Sequence, residues 1–213
     1  MENRVLDPID RNSEILFGLF MVLSFTGTLS VATAGQKEVR EMLIAALGCN
    51  LAWGFVDAVM YVLRNLVTRA RQARLWREVI AARGPEPAHG LIAKEFGPLA
   101  SALGPSDFER ARQWMVAQPA HTAPAATLTR QDLVGGLGVF VLVFATTFPP
   151  VLPFLFFSEV RPAMRVSAAI GIAIMFLCGY EWGRYAGLKP WRAAFVMAGL
   201  GAGIQAVIIA LGG

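Results

Sequence analysis

Five long apolar segments dominate this sequence, each near the roughly 20 residues that a helix needs to cross the hydrocarbon core of a bilayer. They run over about residues 13–34, 42–63, 133–157, 166–188 and 193–211. Lipid offers backbone amides no hydrogen-bond partner, so these segments are expected to be helices. Barrel strands would alternate polar and apolar residues, and these segments do not. The sequence therefore predicts an all-α, polytopic membrane protein with five transmembrane helices.

The composition agrees with this class of protein and argues against others. Hydrophobic residues make up 55% of the chain and charged residues only 16%, against about 25% charged in a soluble domain. The basic residues stand beside the apolar segments without an interleaved aromatic or glycine-rich RNA motif, so nucleic acid is not an expected partner. No nucleotide loop, zinc-protease helix or hydrolase elbow occurs. Neither an enzyme nor a permanently bound cofactor is expected.

The distribution of lysine and arginine predicts the orientation. The stretch between the second and third apolar segments is rich in cations, which are Arg64, Arg69, Arg71, Arg74, Arg77, Arg83, Lys94, Arg110, Arg112 and Arg130. By the positive-inside rule this stretch is cytoplasmic, which places the amino terminus inside and the carboxyl terminus outside. We expect residues 1–64 to carry two spans, 65–131 a helical cytoplasmic insertion, and 132–213 three spans. The first segment is expected to be retained rather than cleaved, in a bacterial inner membrane.

Within the insertion, one stretch has the spacing of an amphipathic helix. Phe108, Ala111, Trp114 and Met115 would share one helix face, and Ser106 is the expected N-cap. Residues 66–83 are expected to form a basic helix that leaves the membrane, and residues 117–127 a linker rich in proline and alanine.

Ionisable residues inside a membrane are costly, so each raises a functional hypothesis. Asp57 is the most informative, because Asn50, Trp53, Asp57 and Met60 lie at helical spacings of 3, 4 and 3. A carboxylate, an amide and a thioether on one face could hold a partly dehydrated divalent cation. The alternative is an interhelical hydrogen bond that holds the bundle together.

Three other polar positions have competing interpretations. Glu14 could be a ligand or could favour the dipole of the first helix. Glu181 could be functional or could pair with Arg184. Thr26, in a run of small and hydroxylated residues, could line a polar path or allow close helix packing. The prolines of residues 149–153 predict either a broken helix of the kind found at transporter sites or a plain helix end.

With these residues in place, the chain resembles the vacuolar iron transporter family, whose members move iron and manganese. The similarity covers most of the chain through short stretches in the same order, which are NSEILFG (12–18), WGFVD (53–57), FPPVLP (148–153), GRYAGLKPWR (183–192) and the glycines Gly199, Gly201 and Gly203. Trp53 stands where the family has a methionine, and the insertion has fewer acids than the family's metal-binding domains.

The resemblance implies a homodimer with an ion path near its two first helices. It also implies that Fe²⁺ or Mn²⁺ leaves the cytoplasm in exchange for protons, with Glu14 and Asp57 in the family's acidic positions. We therefore expect a transporter of divalent transition-metal cations, with Glu14, Asp57, Asn50 and Met60 as metal-site residues. The alternative is a non-transporting scaffold or regulator of the same fold that works through residues 65–131.

Overall fold

The computed structural model describes residues 6–27, 35–119 and 123–212, and all the regular structure in these ranges is helical. The helices are α1 (Pro8–Gly27), α2 (Gln36–Ala81), α3 (Pro85–Phe96), α4 (Pro105–Ala117), α5 (Arg130–Ala145), α6 (Phe148–Val151), α7 (Pro153–Phe156), α8 (Val160–Tyr185) and α9 (Pro190–Gly212). A 3₁₀ turn at Gly97–Ala102 separates α3 from α4. The expected all-α fold class is confirmed.

Four of the described helical segments are long and apolar enough to cross a membrane. They are Gln36–Ala81, Arg130–Phe156, Val160–Tyr185 and Pro190–Ile208, and they match the last four predicted spans. The first predicted span, residues 13–34, extends beyond the described part of α1, since residues 28–34 lie outside the described residues. The first span therefore remains a prediction, as do the orientation and the cytoplasmic insertion.

The helix α2 is continuous over 46 residues, about twice the length that crosses a bilayer. Its amino-terminal half is the apolar segment that carries Asn50 and Asp57, and its carboxyl-terminal half is the arginine-rich stretch. The basic helix expected at residues 66–83 is thus a continuation of the second apolar segment, because no proline or glycine interrupts the chain between Gly54 and Ala81.

The described chain divides into two compact units. One contains the described residues of 6–61 and 133–212, and the other is Val62–Asp132. In the first unit, α1 packs against α6, α8 and α9. Its buried side chains Leu16, Leu19, Val22 and Leu23 form a core with Met175 of α8.

The helices α8 and α9 form a hairpin whose close approach depends on glycine. A Cβ atom built on Gly179 would lie 2.7 Å from the carbonyl oxygen of Ala193, and one on Gly183 would lie 2.7 Å from the Cα of Pro190. Residues 179 and 183 have the spacing of the small-residue pairs that bring membrane helices together. The turn that follows α8 uses Gly187 at φ +67°, and the Leu188 amide donates to the Gly183 carbonyl at 2.9 Å. This is the Schellman pattern of a helix end.

We expect Gly179→Ala to destabilise the protein by about 1–3 kcal/mol, because the added methyl group meets a backbone carbonyl that cannot rotate away. The measurement is the midpoint of thermal unfolding of the purified protein in detergent. Gly199→Ala on α9 is the matched control, since a Cβ atom there has no neighbour within 4 Å. Equal midpoints for the two variants would contradict the close approach of α8 and α9.

In the second unit, α3 and α4 pack around a small apolar core. Val79, Ala88 and Ile92 are buried there, and Phe108 and Met115 pack against them. The predicted helix at Phe108–Met115 is present as α4, although Trp114 is exposed and makes an edge contact with Trp76 at 5.7 Å between ring centroids.

The prediction that Ser106 is the N-cap of this helix is wrong. The N-cap is Gly104, whose amide donates to the Asp107 carboxylate at 2.9 Å. Pro105 begins the helix, because its fixed φ and missing N–H suit the first helical position. Ser106 therefore already lies inside the first turn.

Glu109, three residues after Ser106, connects two helices of this unit. It accepts two hydrogen bonds from Arg112, at 2.6 and 2.9 Å, and lies 2.8 Å from His89 Nε2 on α3. The hydrogen bonds from Arg112, followed by that from His89, hold the pKa of the Glu109 carboxyl well below its usual range. Glu109 thus links α3 to α4 as an anion.

Because the pKa of Glu109 is lowered in the folded chain, its contribution to stability is present above the ordinary carboxyl value of 4.5 and declines as the pH falls further. We expect Glu109→Gln to reduce amide hydrogen-exchange protection in α3 and α4 at pH 7. This deficit relative to wild type should shrink as the pH falls from about 4.5 towards 3. Glu86→Gln, at an exposed position of α3, is the control. An equal deficit in hydrogen-exchange protection at pH 7 and at pH 3 would contradict the ionised link.

Candidate functional site

The third apolar segment is broken at Thr146 and Thr147, between α5 and α6. Pro149 and Pro150 have no N–H to donate to the carbonyls four residues earlier, so the helical ladder cannot continue unchanged. The Thr147 amide bonds instead to the Phe144 carbonyl at 3.2 Å, three residues back. At this break Thr147 and Leu152 keep right-handed helical dihedral angles, and α6 and α7 follow as single turns.

Asn50 of α2 connects this break to α1. Its side chain is fully buried, and its Nδ2 donates to the Gly18 carbonyl at 3.0 Å and to Thr147 Oγ1 at 2.6 Å. The opposite amide orientation would place two oxygens against each other at Gly18, so the hydrogen bonds fix which atom is the nitrogen. The remaining oxygen, Oδ1, is buried and has no hydrogen-bond partner among the described residues.

Gly18 allows this arrangement because α1 and α5 nearly touch there. A Cβ atom at this position would lie 2.5 Å from the Val143 carbonyl oxygen and 2.2 Å from Thr146 Oγ1. Only glycine fits without a shift of the helices. The interhelical hydrogen bond considered as the alternative to a metal-site role is therefore present at Asn50.

Asp57 lies two turns beyond Asn50 on α2, about 10 Å along the helix axis. Gly54 and Tyr61, which flank it at three and four residues, both meet α5: a Cβ atom on Gly54 would be 3.2 Å from the Phe140 carbonyl oxygen, and one on Gly135 would be 2.4 Å from the Tyr61 ring. Asp57 is half-buried, and its Oδ2 is buried with no hydrogen-bond partner in the part of the chain that the structure describes. A carboxylate oxygen without a donor in an apolar helix is costly and can accept a proton or a cation.

The side chains of the other two members of the predicted face of α2 are more exposed than those of Asn50 and Asp57. Met60 is 57% exposed and Trp53 is 42% exposed, with an edge contact to Phe17 of α1 at 5.8 Å. The predicted face therefore contains one buried amide, one half-buried acid and two exposed side chains.

The remaining predicted positions lie on helices other than α2. Glu14 is half-buried in the second turn of α1. Thr26 is buried, and its hydroxyl donates within its own helix to the Leu23 carbonyl at 3.3 Å. Glu181 is exposed on α8 and pairs with Arg184 at 3.6 Å, which confirms the predicted ion pair.

Several buried polar groups were not anticipated as site residues. Asn12 lies in α1 with its Nδ2 3.5 Å from the Cys178 carbonyl, and Thr147 accepts from Asn50. Ser167 of α8 and Gln205 of α9 are buried, and Ser167 Oγ and Gln205 Oε1 have no hydrogen-bond partner among the residues described. Gln205 could have been recognised, because it is the only polar side chain in residues 193–211.

No group of three or more histidine, cysteine or acidic side chains that could hold a metal ion occurs in the described ranges. The polar groups of the site are instead spread along α2 and the facing break of α5. The arrangement supplies single oxygen acceptors, at Asn50 and Asp57, without donors to satisfy them.

We expect Thr147→Val to lower stability by about 0.5–2 kcal/mol, because the change keeps the shape but leaves Asn50 Nδ2 with one acceptor fewer. The check is thermal unfolding in detergent. Thr26→Val is the matched control, since that buried hydroxyl bonds only within its own helix. A larger loss for Thr26→Val than for Thr147→Val would argue against Asn50 as the link between the helices.

Comparison of the chain with models of known protein families and with curated protein sequences gives no match.

Proposed function

We propose that this chain is a membrane transporter of divalent transition-metal cations, Fe²⁺ or Mn²⁺, that exports them from the cytoplasm in exchange for protons. The observation that carries the proposal is Oδ2 of Asp57, which is buried in the apolar half of α2 and has no hydrogen-bond partner among the described residues. A structural acid would be expected to have a donor, since an unsatisfied carboxylate in lipid-like surroundings costs several kcal/mol.

The second support is the set of oxygens near the break in α5. Asn50 Oδ1, two turns from Asp57, has no donor in the part of the chain that the structure describes, and the prolines of the break remove two donors from the local backbone. Irregular backbone at membrane depth is tolerated where it lines a cavity or a path, and broken helices form the ion sites of many transporters. Asp57 and Asn50 would then contact a moving cation one after the other along its path, rather than hold one fixed ion together.

The proposed exchange of metal for protons follows from the chemistry of a buried carboxyl group. A carboxyl group in apolar surroundings holds a proton in the absence of a cation, and an arriving cation displaces it. Asp57 would in this way exchange one charge for another, which couples metal movement in one direction to proton movement in the other. Glu14 is the second exchanger that the family resemblance implies.

The proposed assembly is a homodimer. Met60 and Trp53 are exposed in the single chain, although they lie on the same stretch of α2 as Asn50 and Asp57. A second copy near α1 and α2 would cover these side chains and bring a second Asp57 and a second thioether to the path. Thioethers favour softer cations, and carboxylates favour harder ones, so this pairing suits Fe²⁺ or Mn²⁺ better than Ca²⁺.

A scaffold or regulator is the second candidate, and the surface of Val62–Asp132 favours it. This unit exposes large apolar side chains, including Val67, Leu99 and Trp114. Exposed apolar groups of this kind are common at binding surfaces.

We expect Asp57→Asn to abolish metal uptake into proteoliposomes, because the amide cannot give up a proton to an arriving cation. Wild type and variant are reconstituted side by side, with Fe²⁺ or Mn²⁺ outside and dyes for metal and pH inside. Metal entry with opposing proton movement is the expected wild-type result. Glu41→Gln is the control, since Glu41 is exposed and pairs with Lys37 at 3.9 Å in the first turns of α2.

Transport at the wild-type rate by a folded Asp57→Asn protein would remove Asp57 from the mechanism. If folded wild-type protein moves neither metal, and the intact protein retains a partner through Val62–Asp132 without metal, the scaffold becomes the favoured function.

A further inference from the structure

An open groove of about 870 Å³ lies at the end of the α8–α9 hairpin. Its walls are mainly apolar, with Gly179 and Gly183 of α8 facing Val196 and Met197 of α9. Both glycines are buried where α8 and α9 approach each other closely, so exposed side chains such as Leu188 and Val196 supply the accessible apolar surface of the groove. An open apolar groove suits a flexible hydrocarbon chain better than a rigid polar ligand.

Two cations line the same groove. Lys189 and Arg192 are both exposed, and neither has an acidic partner among the residues that the structure describes. The nearest described acid along the chain, Glu181, pairs with Arg184 instead. Asp7 accepts a hydrogen bond from Tyr185, which also lines the groove, at 3.4 Å. The groove therefore carries two cations without an ion-pair partner among the described residues, and the one acid beside it in these ranges, Asp7, bonds to Tyr185.

The position of the groove matches the depth of lipid headgroups. It lies where the candidate spans Val160–Tyr185 and Pro190–Ile208 end and begin. Trp191 and Tyr185 are exposed beside it, and Tyr180 contacts Trp191 at 5.1 Å between ring centroids. Amphipathic aromatic residues of this kind gather at the membrane–water interface.

We propose that this groove binds one anionic phospholipid. An acyl chain lies along Leu188 and Val196, and the phosphate lies between Lys189 and Arg192. A zwitterionic lipid would bring its own cation to the same place and lose most of the attraction, and a free phosphate would leave the apolar groove empty. The proposal depends on the α8–α9 hairpin and on membrane insertion, and not on metal transport.

The test is native mass spectrometry of the full-length protein released from detergent, titrated with phosphatidylglycerol. We expect one lipid to be retained per chain, with affinity about 30-fold lower in the Lys189→Gln/Arg192→Gln variant, from roughly a factor of five for each cation at the membrane surface. The Arg161→Gln/Arg165→Gln variant is the matched control, because these exposed arginines lie in the first turns of α8, away from the groove. It should bind like wild type.

Three further measurements test whether the lipid needs the apolar groove, whether it needs a net negative charge, and whether free phosphate competes with it. Val196→Trp, which fills the groove but keeps both cations, should also lose the lipid. Phosphatidylcholine should bind at least tenfold more weakly, and inorganic phosphate should not displace the lipid. Equal binding of both lipids, unchanged binding in the Lys189→Gln/Arg192→Gln variant, or displacement by phosphate would overturn the proposal. So would retention of a second copy of the chain at this face in place of the lipid.

Discussion

The side-chain amide of Asn50 links α2 both to α1 and to the break that follows α5. It donates to the Gly18 carbonyl and to Thr147 Oγ1, and hydrogen bonds are electrostatically stronger in a buried environment than in water. The close approach of α1 and α5 at Gly18, and the break that presents Thr147, are both needed for this contact. The position of Asp57 follows, because it lies on the same stretch of α2 and between two contacts to α5.

Much of the helical content could be predicted from the sequence. The apolar segments are long, and lipid permits few structures other than a helix, so four candidate spans could be located from length and apolar composition. The pair Glu181 and Arg184 was recognised because its partners are three residues apart. In contrast, Thr147, one of the two acceptors of the Asn50 amide, lies 97 residues away along the chain, and no local pattern identifies it.

The remaining differences also have physical causes. Ser106 has the chemistry of an N-cap, but Pro105 starts the helix before it, so backbone geometry outweighs the side-chain preference. Helical spacing places Met60 on the face of Asn50, but spacing does not determine which part of that face a neighbouring helix covers. The groove at Lys189 and Arg192 could not be predicted from the sequence either, because it depends on glycines that bring two helices together.

The order of the Asn50 contacts along the chain bears on how the protein is made. Gly18 precedes Asn50 by 32 residues, whereas Thr147 follows it by 97. At a synthesis rate of about 5–20 residues per second, the nascent α2 waits roughly 5–20 s for the second acceptor. During that interval Gly18 is the acceptor available to Asn50, and the contacts of Gly54 and Tyr61 with α5 have yet to form. The ribosome and the insertion machinery would therefore handle an early helical pair with one polar link available, in which Asp57 still lacks its neighbours on α5.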